Sequence, residues 1–264
     1  MKTKHEILTA LAHSGEEKIL LASLLDKEQT CETRGYATST RFLSMSERAL
    51  CTEAVHQAGA TGHALFWGGY EDAERGIYLF YPDYMDEESA RLSAPLALLR
   101  AHKSRSDTLT HRDYLGAILG LGIRREWVGD ILVQEHGAYV FCLPSVAPAL
   151  LELEQVGRTG VKAAAVELAA VPVPERKVRP VTFTVQSARL DAVVSGMFRL
   201  SRTSAAAQIR AGAVHLNYTE CLRPDAPVAP GDVLSLRGAG KGSVTEVGGM
   251  SRKGRQFVTA ELWQ

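Results

Sequence analysis

The sequence predicts an α+β protein of three small units. These are an N-terminal α/β unit over residues 1–83, a central ferredoxin-like plait over 84–170 and, beyond a linker at 171–180, a C-terminal α+β module over 181–264. Three observations predict this. Residues 95–168 run strand–helix–strand–strand–helix–strand, the order of a ferredoxin-like plait. Ala170–Pro180 (A-V-P-V-P-E-R-K-V-R-P) holds three prolines in eleven residues, which block helix and central strand alike. Charge changes sign across this stretch: residues 175–264 carry 13 Lys+Arg against 7 Asp+Glu, a net of +6, so the neutral whole chain leaves −6 for the rest.

In the N-terminal unit, Ile19, Leu20, Ala22, Leu24 and Leu25 recur at near-helical spacing, so residues 16–28 read as a helix. A polar stretch follows from Gln29 to Thr40, then a second helix around Ser46–Gly59. His63–Trp67 and Gly76–Tyr81 read as strands separated by G-G-Y-E-D-A-E-R, residues 68–75.

In the plait, Pro95–Ala101 reads as a strand and Thr110–Leu121 as a helix capped by Thr110. Ile131–Gln134 and Ala138–Leu143 form a hairpin across Glu135-His136-Gly137, with Gly137 able to take positive φ. Ala147–Val156 reads as a helix and Lys162–Leu168 as the closing strand. RNA-recognition domains share this architecture, but the aromatic-rich surface strand they usually carry is not seen here.

Composition bounds the function classes. Apolar and charged fractions are ordinary, which fits a folded globular chain rather than a disordered one. The start, M-K-T-K-H-E, does not read as a signal peptide, and no apolar run reaches the roughly 18 residues of a membrane span. Cys31, Cys51, Cys142 and Cys221 are scattered, which fits reduced thiols in the cytoplasm and argues against a zinc site. The expectation is a cytoplasmic protein with no metal, no cofactor and no membrane partner.

The densest pattern lies at residues 189–232. Arg189-Leu190-Asp191 opens a short apolar helix, and Ser201 caps a second helix that begins with Arg202 and Thr203. Ala205 and Ile209, four apart, share its core face, leaving Arg202, Gln208 and Arg210 off that face, with the two arginines able to meet phosphate. Gly212 stops the helix, Val214–Leu216 starts a strand, Asn217-Tyr218 turns it, and Pro230-Gly231-Asp232 turns into Val233–Leu236. Guanidinium groups bind phosphate with two parallel hydrogen bonds, and basic surfaces bind nucleic acid largely by counterion release.

This order resembles the S-four domain, the small RNA-binding module first described in ribosomal small-subunit protein four. Relatives usually carry Asn-Gly at the turn where Tyr218 stands here. The resemblance extends over about residues 14–264 to the YlmH family, through G-G-Y-E-x-A-E-R at 68–75, L-T-H-R-D-Y-L-G-A-I-L-G-L-G-I-R-R-E at 109–126, V-G-D-I-L-V-Q at 128–134 and V-G-R at 156–158. It implies binding to ribosomal RNA and tRNA on the large ribosomal subunit. Arg189 and Arg202 are at positions where related S-four modules contact RNA. Arg210, His215, Asn217 and Arg223 follow, with Thr203 beside Arg202. Lys241, Arg252, Lys253 and Arg255 extend the basic surface beside glycines, although two exposed hairpin ends would read the same way. His111, Arg112, Arg124 and Arg125 form a candidate second contact.

Enzyme motifs fit poorly. His111-Arg112-Asp113 mimics a kinase catalytic loop, but Ile118 stands where a magnesium-holding Asn is needed. R-L-D-x-x-x-S-G at 189–196 resembles the pseudouridine synthase motif, yet Val194 replaces its Thr and only the RNA-binding module follows. Gly120 and Gly122 follow a helix, so they do not form a methyltransferase cofactor loop. Asp191 is expected to cap or salt-bridge the first helix. The expected protein is a non-catalytic RNA binder of ribosome quality control or translation. An RNA-modification enzyme and a protein scaffold linked to cell division are the alternatives.

Overall fold

The computed structural model describes residues 2–104, 107–172, 177–252 and 254–263. The chain divides into two compact units, Met1–Pro174 and Glu175–Gln264. Among the described residues no helix is long and apolar enough to cross a membrane.

The first unit opens with α1 (Lys4–Leu11) and α2 (Gly15–Arg34), then β1 (Thr38–Ser39), α3 (Met45–Ala58), β2 (Ala64–Trp67), β3 (Ile77–Phe80) and α4 (Glu87–Leu92). Thr3, Ser14 and Ser44 each accept from the N–H of a glutamate three residues on, whose carboxylate returns the bond, so α1, α2 and α3 start on capping boxes. α2 runs through Arg34, beyond the polar boundary expected at Gln29. Leu20, Leu24 and Cys31 keep the helical spacing on its buried face, and Gly35 at φ 67 ends it. The three strands form a sheet in the order β1-β3-β2.

The unit continues with β4 (Ala97–Lys103), α5 (His111–Gly120), β5 (Val128–Gln134), β6 (Gly137–Cys142), α6 (Ala147–Leu151), β7 (Gln155–Val156) and β8 (Thr159–Val166). These strands form an antiparallel sheet in the order β5-β6-β4-β8-β7. α6 stops at Leu151, short of the expected Val156, which instead pairs with Thr159 and buries its side chain from β7. Leu99, Ala101, Val140 and Val161 pack with Tyr114, Ile118 and Leu150 of α5 and α6. At the other face, Leu98 and Phe141 share a core with Phe42, Leu65, Ile77 and Leu79. The sequence predicts a boundary at residue 83, whereas the two sheets share this apolar cluster and make one unit. Apolar faces of this kind stay together because separating them would expose both.

The second unit runs β9 (Val178–Val185), α7 (Leu190–Phe198), α8 (Arg202–Arg210), β10 (Val214–Leu216), β11 (Thr219–Glu220), β12 (Val233–Leu236), β13 (Gly240–Met250) and β14 (Gln256–Trp263). Its six-stranded sheet has the order β11-β10-β12-β13-β14-β9. β9 takes in Val178, Arg179 and Pro180, which the sequence assigns to the linker. Proline is tolerated there because β9 is an edge strand. Leu190, Val193, Val194 and Met197 of α7 and Ala205 and Ile209 of α8 pack on Val214, Leu234, Val244, Val258, Ala260 and Leu262. Gly196 lets α7 lie against Phe183 of β9, since a Cβ there would fall 2.2 Å from the ring.

Two tests follow. Gly137 has φ 146, and an added Cβ would sit 2.1 Å from the Ala101 carbonyl oxygen across the β4–β6 pair. Gly137→Ala is expected to destabilise the protein by about 2–3 kcal/mol in chemical unfolding. Thr110 caps α5, and its hydroxyl and N–H both donate to Asp113 at 2.7 Å. Those bonds hold the Asp113 carboxyl below its ordinary range. A lowered folded pKa contributes stability above the unfolded value, lost as pH falls through the folded one. Asp113→Ala should therefore lower the melting temperature at pH 7, with the gap closing toward pH 2.

Candidate nucleic-acid interface

Arg189 is the N-cap of α7 and Arg202 the first residue of α8, capped by Ser201, whose hydroxyl accepts from Ser204 N–H at 3.1 Å. Between them stands Asp191, 7% exposed. Arg202 Nη2 donates to Asp191 Oδ2 at 2.6 Å, and Arg189 Nε stands 3.5 Å from Oδ1. Asp191 thus bridges the starts of both helices. A cation in the first turn of a helix opposes the helix dipole, and the carboxylate offsets that at Arg202. The two arginine side chains are about half exposed, 46% and 56%; Arg202 donates to the carboxylate, whereas Arg189 approaches it as an ion pair only, leaving the buried Asp191 Oδ1 without a hydrogen bond. Arg202 is therefore ion-paired rather than free, as the sequence suggested, and its orientation is set from below. Thr203, next along α8, is exposed.

The other candidates are spread over the unit. Arg210 is exposed in the last turn of α8, about 12 Å along the axis from Arg202. Arg223 is exposed in the loop after β11. Asn217 is committed to its turn, accepting from Val233 N–H at 2.9 Å and donating to Asp232 at 2.8 Å. Its amide is thereby occupied internally, which corrects the expectation of an RNA contact through that group. Along β14, Val258, Ala260 and Leu262 face the helices, so Trp263 and its cross-strand partner Lys241 lie on the opposite face, as does His215, paired with Ser235. Arg252 and Arg255 are exposed at the β13–β14 tip, where Arg255 Nη2 donates to the Thr184 carbonyl at 2.7 Å. Lys253 lies outside the described residues.

In the first unit, the second-contact candidates divide. His111 and Arg112 are exposed at the start of α5. Partial desolvation by the neighbouring protein atoms and the nearby Arg125 charge hold the His111 imidazole below its ordinary value. Arg124 is exposed and lies over the Trp127 ring, 5.3 Å from its centroid. Arg125 turns inward, donating to the carbonyls of Val128 at 2.6 Å and Gly129 at 2.9 Å. Burial, with Arg75 beside it, lowers its pKa to about 10. Arg125 is thus a structural residue here, in place of the expected surface contact, because its N–H groups are taken by backbone oxygens. Nearby, Asp130, 9% exposed, accepts from the Tyr70 hydroxyl at 2.8 Å and from the N–H groups of Glu74 at 2.8 Å and Arg75 at 3.1 Å. These bonds explain G-G-Y-E-D-A-E-R as a loop tied to β5.

Sequence reading passed over Arg100, His102 and Lys162. Arg100 and His102 alternate along β4, and Lys162 of β8 pairs with His102, so all three share the face away from α5 and α6. All are exposed, and the Arg100 guanidinium lies 5.8 Å from the Tyr139 ring centroid. The alternation L-R-A-H-K was the signal that could have found them.

Among the described residues, no group of three or more His, Cys, Asp or Glu could hold a metal ion. Burial pushes the Cys51 and Cys142 thiols up to about 12, so neither is poised as a nucleophile. Removing the shared carboxylate tests the helical pair: Asp191→Ala leaves two cations facing each other and is expected to destabilise the protein by about 1–3 kcal/mol in urea unfolding.

The family model described as "Putative RNA-binding domain in YlmH" matches residues 99–170, a span that takes in α5 and the β4–β8 face. The Bacillus subtilis (strain 168) "Ribosome-associated protein quality control protein P2" is 30% identical over 247 residues, covering 93% of this chain and 95% of its own length. The solved structure of "Cell division protein ylmH from Streptococcus pneumoniae" superposes on 60% of this chain and 95% of its own at a TM-score of 0.48, with 21% identity. Near-complete coverage at 30% identity, with the RNA-binding model over the central region, places the chain plainly: it belongs to the YlmH family.

Proposed function

We propose that this chain is a non-catalytic RNA-binding protein that acts on the ribosome, contacting large-subunit ribosomal RNA and tRNA in quality control or translation. The observation that carries this reading is the Arg189–Asp191–Arg202 arrangement, two half-exposed guanidiniums held over one buried carboxylate at adjacent helix starts. In this reading residues 181–264 form an S-four-type domain, and α7 and α8 present its RNA face. Residues 97–166 form a ferredoxin-like plait, supported by the order β5-β6-β4-β8 with helices between its first and last strand pairs. His111, Arg112 and Arg124 supply the second contact, and Arg100, His102 and Lys162, on the sheet face away from α5 and α6, supply a separate one. The family membership and the ribosome-associated name of the Bacillus subtilis relative support the ribosome as the place of action.

Phosphate meets these arginines from outside while Asp191 holds them from inside. The fork geometry of guanidinium suits this, because its five donors point along fixed directions. Truncating the arginines alone would strand a buried carboxylate, so the test neutralises all three groups together. Arg189→Gln/Arg202→Gln/Asp191→Asn is expected to lower affinity for ribosomal RNA and tRNA at least about tenfold, with the salt slope flattened by about one to two units. It should also shift the protein off the large-subunit fraction of a sucrose gradient. Unchanged affinity and sedimentation in a variant that still melts cooperatively would sink the assignment.

A further inference from the structure

The core of the second unit occupies one face of its six-stranded sheet, the face beneath α7 and α8. The opposite face carries a cluster that the core does not use. Lys241 on β13 and Trp263 on β14 are cross-strand partners, and the Lys241 ammonium lies 4.5 Å from the Trp263 ring centroid. The Tyr218 ring centroid is 4.4 Å from the same ammonium. The ammonium thus lies within cation–π distance of two aromatic rings.

Tyr218 holds its place under strain. The two-residue turn between β10 and β11 has positive φ at both central positions, 50 at Asn217 and 68 at Tyr218. Turns of this shape favour Gly at the second position, because a Cβ crowds the carbonyl there. The strained tyrosine sets its ring against Lys241, and local strain of this kind collects at ligand-contacting sites.

We infer that Tyr218, Lys241 and Trp263 form a binding site for an unpaired nucleotide of RNA. This rests on the RNA-binding reading above but concerns the opposite face of the sheet from Arg189 and Arg202. Every base offers a flat π face, so a ring can stack on it whatever the sequence, and the lysine beside the rings supplies a cation for the adjoining phosphate. His215 extends the same row through Ser235 to Lys241. Glu261 lies on this face two residues from Trp263, and Glu220 stands across from His215 in the strand register.

The test uses the full-length protein, a fluorescein-labelled 12-nucleotide oligouridine as the single-stranded probe, and tRNA as the structured one. Tyr218→Gly relieves the turn, so it should melt at the same or a higher temperature while oligouridine affinity falls about fivefold or more. Intrinsic tryptophan fluorescence should be quenched by oligouridine in the wild type, and that quenching should be lost in Trp263→Leu. Unchanged oligouridine affinity in Tyr218→Gly, or quenching that persists in Trp263→Leu, would make the cluster a structural staple and overturn the inference. Wild-type protein that binds tRNA but not oligouridine overturns this site alone. Binding to neither RNA overturns the RNA-binding reading with it.

Discussion

An ionised carboxylate is expensive to bury unless donors surround it, and among the described residues Asp130 and Asp191 are the buried carboxylates, one in each unit. In the first, Asp130 sits on β5 under the loop of residues 68–75 and takes donors from Tyr70, Glu74 and Arg75. Burial pushes its carboxyl up, and the hydrogen bonds pull the other way. Arg75 and Arg125, both turned inward beside it, spend their N–H groups on the carbonyls of Phe42, Arg125, Val128 and Gly129. This polar knot fastens the loop between β2 and β3 to β5, so the N-terminal sheet and the central one share a core.

In the second unit, Asp191 performs the corresponding task with a different outcome. Its partners are the side chains of Arg189 and Arg202, which remain half exposed. Asp130 accepts from a hydroxyl and two backbone N–H groups, whereas Asp191 faces two guanidiniums at the surface and hydrogen-bonds one of them. A buried acid thus makes a basic surface, fixing the directions of donors that would otherwise sample many rotamers.

The basic character of the C-terminal third does not gather into one patch. The helical side holds Arg189, Arg202 and Thr203, the opposite sheet face holds His215 and Lys241, and the β13–β14 tip holds Arg252 and Arg255. A net charge says how strongly phosphate is drawn in, whereas strand alternation decides which cations face it together. In the central sheet the same alternation brings Arg100, His102 and Lys162 onto one face within the span of the YlmH RNA-binding family model.

What the sequence determined by itself was local. Helix starts at Thr110 and Ser201 follow from hydroxyls followed by partners three residues on. The plait order, the turn at Asn217-Tyr218 and the short helices after Arg189 and Ser201 follow from periodicity and turn chemistry. Only the tertiary structure decided which charged groups meet. Asp191 and Arg202 are eleven residues apart and meet only because α7 and α8 pack side by side. Arg124 and Arg125 are neighbours in sequence, yet one lies on the surface and the other donates to buried carbonyls. The end of α6 at Leu151 was likewise beyond reach of local reading, because it depends on Val156 finding a partner strand. Local patterns report the backbone a residue prefers, while the direction of a long side chain is set by neighbours remote in sequence.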